Sequence, residues 1–291
     1  MRRALLAAAL IFLVVGVFAA IRPAREAVIL GLLRANAVHV YPGYEQAVQS
    51  ATTPDGVQLA WAAVGEGPPV VNVAGWATHL ERGFGSPGHN VVVPLLMGER
   101  RVVVYDGRGF GLSQRDAHDW SLEARVRDLE AVMDAAGVER ADLVGLSTAA
   151  PTALAFAALH PERVERLLLY GAGVSYAPDG ELMPEADAFM RRVFELLQGV
   201  GGDERQIEEF LEATRAIDVA AFAPRVQAPT RMVHVVGDEL VPYAGAQRLA
   251  DLIPNAELVS FEGRNHVPLP GDPAAGKLGE TLVEFLNAPR E

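Results

Sequence analysis

Short, largely apolar runs recur along this chain, each followed by a longer amphipathic segment, and that alternation restricts the possible folds more than any other feature. Val57 to Val64, Val70 to Val73, Arg101 to Tyr105, Leu143 to Leu146, Val164 to Tyr170, Met232 to Val236 and Glu257 to Phe261 have the length and composition of strands. Between them, Ser121 to Ala136 places Leu122, Val126, Leu129, Val132 and Met133 at helical spacing behind a serine N-cap. Thr148 to His160, Tyr243 to Leu252 and Gly276 to Leu286 carry the same periodicity. A strand that is apolar on both sides must be covered on both faces, and a helix with one apolar stripe supplies the cover. The pattern therefore predicts an α/β fold with a mostly parallel, doubly wound sheet.

Two segments stand outside this order. From about Gly173 to Pro229 the chain is helical and charged, over Pro184 to Leu197 and Glu204 to Ala216, which reads as a helical cap inserted between two strands. At the N-terminus, Met1-Arg2-Arg3 precedes an uncharged run from Ala4 to Ile21, closed by Arg22-Pro23. As a helix this run would be about 27 Å long, close to the thickness of a bilayer's hydrocarbon core. Residues 1–22 are expected to be a transmembrane anchor. The competing reading is a secretory signal with a cleavage site at Val17-Phe18-Ala19, which would make the protein secreted. Residues 23–50 would then be a linker and 51–291 the globular domain, with the cap at about 173–229.

Composition excludes several function classes. The net charge of −12, from 37 acidic and 25 basic side chains, opposes binding to nucleic-acid phosphates, and no basic run offsets it. There is no cysteine, so disulfides, thiolate metal sites and a cysteine nucleophile are all ruled out. No His/Asp/Glu group shows metal-ligand spacing, and neither a metal nor another cofactor is expected.

The residues with chemical promise sit where strands end. Gly145-Leu146-Ser147-Thr148-Ala149 lies where an apolar strand turns directly into a helix. A serine at such a junction is held on a tight turn that lifts its hydroxyl above the sheet edge, beside the free N–H groups of a helix N-terminus. Small residues at 145 and 149 suit the close backbone approach. Asp238 follows a later strand in His234-Val235-Val236-Gly237-Asp238, and His266 follows the next in Gly263-Arg264-Asn265-His266. Serine, acid and histidine thus occur in order, each at the carboxyl end of a strand, the edge where open α/β sheets bind their ligands. Glu239 is an alternative acid. His234 reads as a satisfied core residue, and His79 as a surface helix residue or a pocket-lining one.

These stretches resemble the α/β-hydrolase family over about Thr53 to the C-terminus. Asp106-Gly107-Arg108-Gly109-Phe110-Gly111-Leu112-Ser113 and the ordered Ser, Asp and His carry the fold-level resemblance. Gly75-Trp76-Ala77-Thr78-His79-Leu80-Glu81 is similar to the bacterial hydrolase-like domains often joined to adenylate-cyclase or transcription-factor modules. The resemblance implies a serine hydrolase acting on a small hydrophobic acyl substrate. Ser147 would be the nucleophile, His266 the base and Asp238 the residue that orients it, with an oxyanion hole from the backbone N–H groups of Trp76 and Thr148. Asp106 and Arg108 would be loop scaffolding. A weakly hydrolytic or non-hydrolytic sensor domain of the same fold is the alternative. Two positions depart from the family pattern: Ala149 replaces the usual glycine, and Ala74-Gly75 replaces the usual His-Gly.

Overall fold

In a computed structural model, residues 47–76, 78–81, 87–175, 204–266 and 273–289 are described. The expected anchor at 1–22, most of the linker and the cap helix expected at Pro184 to Leu197 lie outside these residues. Among the described residues, no helix is long and apolar enough to cross a membrane.

The chain runs β1 (Gln49–Thr52), β2 (Gln58–Val64), β3 (Pro69–Asn72), α1 (Pro87–Leu96), β4 (Arg101–Tyr105), α2 (Leu122–Ala135) and β5 (Ala141–Leu146). A 3₁₀ turn at Ser147–Ala149 leads into α3 (Ala150–Leu159), and β6 (Val164–Tyr170), α4 (Glu204–Arg215) and β7 (Thr230–Val235) follow. The chain continues through α5 (Tyr243–Leu252), β8 (Ala256–Phe261) and α6 (Pro273–Asn287). The eight strands form one sheet in the order β1-β2-β4-β3-β5-β6-β7-β8. The β1-β2 and β2-β4 pairings are antiparallel, and the other five are parallel.

The central strands are apolar on both sides because both sides are covered. On β4, Val103 and Tyr105 face the core formed with α2, α3 and α5, while Val102 and Val104 face the core formed with α1 and α6. The serine N-cap expected for α2 is present: Ser121 Oγ accepts from the Ala124 N–H at 3.2 Å. Helix α1 was not anticipated. Its Pro94 lies inside the helix, where proline removes a backbone donor, yet Val92, Val93 and Leu96 are buried against the sheet. Tertiary burial outweighs local propensity here.

The far end of the chain is locked in by charge. Buried Arg100, in the turn before β4, pairs with fully buried Asp142 at the start of β5 and donates to the Leu286 carbonyl in the last turn of α6. Its Nε donates to the Pro68 carbonyl at 3.0 Å, and Arg166 also donates to the Leu286 carbonyl, at 3.0 Å. One buried guanidinium thus ties the β3 approach, β5 and the closing helix together. Replacing Asp142 by alanine would leave that cation buried without its counter-ion, so D142A should lower stability by about 3–5 kcal/mol in equilibrium urea denaturation. A loss below about 1 kcal/mol would show that the pair does not hold these elements.

Candidate active site

Ser147 is the only non-glycine residue with positive φ among the described residues, at +53°. An L-residue in this region costs roughly 1–2 kcal/mol, so the surrounding packing must enforce it. Leu146 is still extended (φ −110°, ψ 127°), and the Ala150 N–H already donates back to the Ser147 carbonyl. The chain therefore reverses within a single residue. A Cβ on Gly145 would lie 2.7 Å from Ala153 Cβ and 2.9 Å from the Ala150 Cα, so the strand reaches α3 only because residue 145 has no side chain.

The three residues expected from the sequence come together. His266 Nδ1 lies 2.6 Å from Asp238 Oδ2, and its Nε2 lies 2.8 Å from Ser147 Oγ. The carboxylate only accepts, so Nδ1 carries the ring proton and Nε2 is left to accept from the serine hydroxyl. Asp238 Oδ1 accepts from the N–H groups of Leu240 at 2.8 Å and Val241 at 3.0 Å. Asp238, not Glu239, contacts the imidazole; Glu239 instead accepts from Arg264, at 2.7 and 3.0 Å.

Burial and charge set the protonation states. Burial by itself would raise the Asp238 pKa, but the charge and N–H of His266 and the backbone donors outweigh it and hold the carboxyl below its ordinary value. Burial likewise disfavours the imidazolium of His266, yet the charge of Asp238 and its hydrogen bond prevail and hold the histidine above its ordinary value of 6.5.

The loop bearing Trp76 meets the serine turn directly. A Cβ on Gly75 would come within 2.9 Å of Thr148 Oγ1 and 3.6 Å of the Ala149 nitrogen, so the two segments lie in direct contact and any side chain at 75 would require Thr148 to shift. With alanine at 74, the loop is fixed from its other end. Asp106 Oδ2 accepts from the Leu80 N–H at 3.2 Å and the Leu112 N–H at 2.8 Å, and Thr78 Oγ1 accepts from the Gly107 N–H at 3.0 Å. Burial pushes the Asp106 carboxyl up to about 6 despite these donors. Arg108 bonds Asp128 at 2.6 and 2.8 Å and Asp55 at 3.0 Å, which makes it a brace for the turn. Scaffolding is the role observed for both Asp106 and Arg108.

Some features of the site were not read from the sequence. Gly171, just past β6, has φ +58°, and a Cβ there would lie 2.5 Å from His266 Cε1. The neighbouring Tyr170 hydroxyl donates to the His266 carbonyl. A glycine directly after an apolar strand, at the edge where ligands bind, was the available signal. His79 is a correction: it is buried at 8 % exposure and lies in no helix, because the loop carrying it is drawn in by the Asp106 and Thr78 bonds. His234 is buried in β7 as expected. Between β6 and β7, Phe210 of α4 packs edge-on against Phe110 (5.4 Å) and Trp120 (5.6 Å). A cavity of about 20 Å³ between these rings and Gly75 holds no more than a water molecule. Among the described residues, no group of His, Asp and Glu is placed to bind a metal.

Comparison with known proteins gives a consistent result. A family model described as the alpha/beta hydrolase fold matches residues 68–201. A 2-hydroxymuconate semialdehyde hydrolase from a Pseudomonas species is 30% identical over 233 residues, covering 69% of this chain and 78% of the relative. A human serine hydrolase is 26% identical over 249 residues, covering 79% and 84%. Among solved structures, an esterase from Exiguobacterium antarcticum superposes with a TM-score of 0.70 at 21% identity, covering 83% of this chain and all of the esterase. An enol-lactonase from Burkholderia xenovorans gives 0.67 at 24%, covering 82% and 99%.

Burial and the Asp238 carboxylate act in opposite directions on the histidine's titration, and the carboxylate prevails. Because Asp238 raises the folded pKa of His266, that group's stabilising contribution is present below about 6.5 and is lost as the pH rises through the higher folded value. An NMR titration of His266 should therefore give a midpoint above 6.5. A midpoint below 6.5 would show that burial outweighs the carboxylate.

Proposed function

The chain belongs to the α/β-hydrolase fold family and is a hydrolase, and on that premise we propose that it cleaves an acyl ester, or a related acyl bond, of a small hydrophobic substrate through Ser147, His266 and Asp238. One observation carries the reading: the unbroken hydrogen-bonded chain from Asp238 through His266 to a serine held at positive φ. A merely structural serine has no need of that backbone geometry.

The arrangement suits a two-step acyl transfer. Ser147 Oγ attacks the acyl carbonyl carbon while His266 Nε2 takes the hydroxyl proton, and Asp238 stabilises the imidazolium that forms. Negative charge develops on the carbonyl oxygen, where the backbone N–H groups of Thr148 and Trp76 would receive it; losing one such donor typically costs about 3–4 kcal/mol of transition-state stabilisation. The tetrahedral intermediate collapses as the histidine returns its proton to the leaving group. A water molecule, deprotonated by the same nitrogen, then attacks the acyl carbon; the bond to Ser147 Oγ breaks as His266 returns the proton to the serine, and the acid is released.

The relatives named as hydrolases of 2-hydroxymuconate semialdehyde and of 2-hydroxy-6-oxo-2,4-heptadienoate favour a second substrate class, conjugated oxo-acids. A panel that includes p-nitrophenyl esters of increasing chain length and such an oxo-dienoate decides between them. Turnover of the preferred substrate should fall at least about a thousandfold in S147A while the fold persists. Near wild-type turnover by the alanine variant would refute the serine mechanism.

We also propose that residues 1–22 anchor the protein in a membrane, with the segment from residue 23 up to β1, which begins at Gln49 rather than after residue 50, as the linker that holds the hydrolase clear of it. The support is the uncharged length of Ala4 to Ile21. The full chain should remain with membranes after a carbonate wash. A mature protein beginning at Ala20 and recovered outside the cell would show a cleaved signal instead.

A further inference from the structure

Beneath the proposed acid lies a second imidazole to which no step of the mechanism assigns a role. His234 is the fifth residue of β7, is 1 % exposed, and precedes Asp238 by four positions. Its Nε2 is 2.8 Å from the Val241 carbonyl oxygen and 3.5 Å from Asp238 Oδ2, the same carboxylate oxygen that accepts from His266. A carbonyl only accepts, so Nε2 must carry the proton. That N–H therefore makes a full hydrogen bond to Val241 and places its positive end next to the carboxylate. At 3.5 Å the second contact is electrostatic rather than a good hydrogen bond.

Val241 serves both sides of the turn. Its N–H donates to Asp238 Oδ1, and its C=O accepts from His234. It is buried at 3 % exposure and precedes Pro242, which limits its backbone to extended conformations. The His234 ring also packs on Tyr243, the first residue of α5, with centroids 5.8 Å apart. The turn from 238 to 241 is thus clamped between β7 and α5 by one donor.

We propose that His234 is a positioning residue: its Nε2–H fixes the turn that presents Asp238, and through it the orientation of His266 toward Ser147. The proposal rests on the serine-hydrolase reading above. Without the donor, the Val241 carbonyl is left buried and unmatched, and the turn relaxes to find another partner. Asp238 then tilts away from His266 Nδ1, which weakens proton transfer while leaving the substrate pocket intact.

Two substitutions separate donation from space-filling. Glutamine at 234 keeps a side-chain N–H, whereas leucine fills the volume and donates nothing. H234L should lower kcat at least about tenfold, the equivalent of one lost hydrogen bond in the transition state, with KM within about twofold of wild type. H234Q should retain most of the wild-type kcat. A folded H234L with wild-type kcat, or equal losses in both variants, would overturn the proposal. Should H234L not fold, ¹⁵N NMR of the wild-type protein decides: the Nε2–H tautomer of His234 supports the clamp and the Nδ1–H tautomer overturns it. Failure of the triad reading is recognised separately, by hydrolysis that survives S147A, and the NMR result still judges the His234 bond in that case.

Discussion

A serine at φ +53° between a buried strand and a buried helix is the constraint on which the rest of this structure depends. The conformation is unfavourable for an L-residue, and it persists because β5 and α3 are each fixed by a core that leaves the connecting residue no other path. Bare Gly145 allows α3 to approach, and Ala149 and Ala153 are small enough to sit against the strand. The extra methyl of Ala149, relative to the usual glycine, is buried at 2 % exposure.

Everything else at the sheet edge converges on that hydroxyl. Gly75 touches the turn from the β3 side, Gly171 admits the imidazole from the β6 side, and the turns after β7 and β8 bring in the acid and the base. Close backbone approach at Gly237 and Gly263 lets the last two turns lie side by side: the Gly237 N–H donates to the Gly263 carbonyl at 3.1 Å. Buried charge is tolerated because it is matched. Asp238 has donors on both oxygens, and Arg108 has a carboxylate on either side of its guanidinium.

Much of this was legible in the sequence because parallel α/β topology sends every strand's carboxyl end to one edge. Once Ser147, Asp238 and His266 each follow a strand, their convergence is a consequence of the strand order. What separates Asp238 from its neighbour Glu239 is local: Asp238 points inward to the Leu240 and Val241 amides, while Glu239 pairs with the exposed Arg264. Contacts that depend on tertiary packing were not legible. Helix α1 contains Pro94, so local propensity argues against the element that burial stabilises. His79 carries no sequence mark of burial, since the hydrogen bonds that draw its loop inward come from Thr78 and Asp106, the latter 27 residues further along the chain. His234 was recognised as a core residue, but its second contact depends on how the next turn folds back.

The central claim is that His266 activates Ser147, and covalent labelling tests it without a known substrate. A fluorophosphonate probe should react with the wild-type protein at one site, mapped by mass spectrometry to Ser147, and labelling should be lost in H266A although that variant remains folded. Labelling at another residue, or undiminished labelling of Ser147 in H266A, would contradict the account.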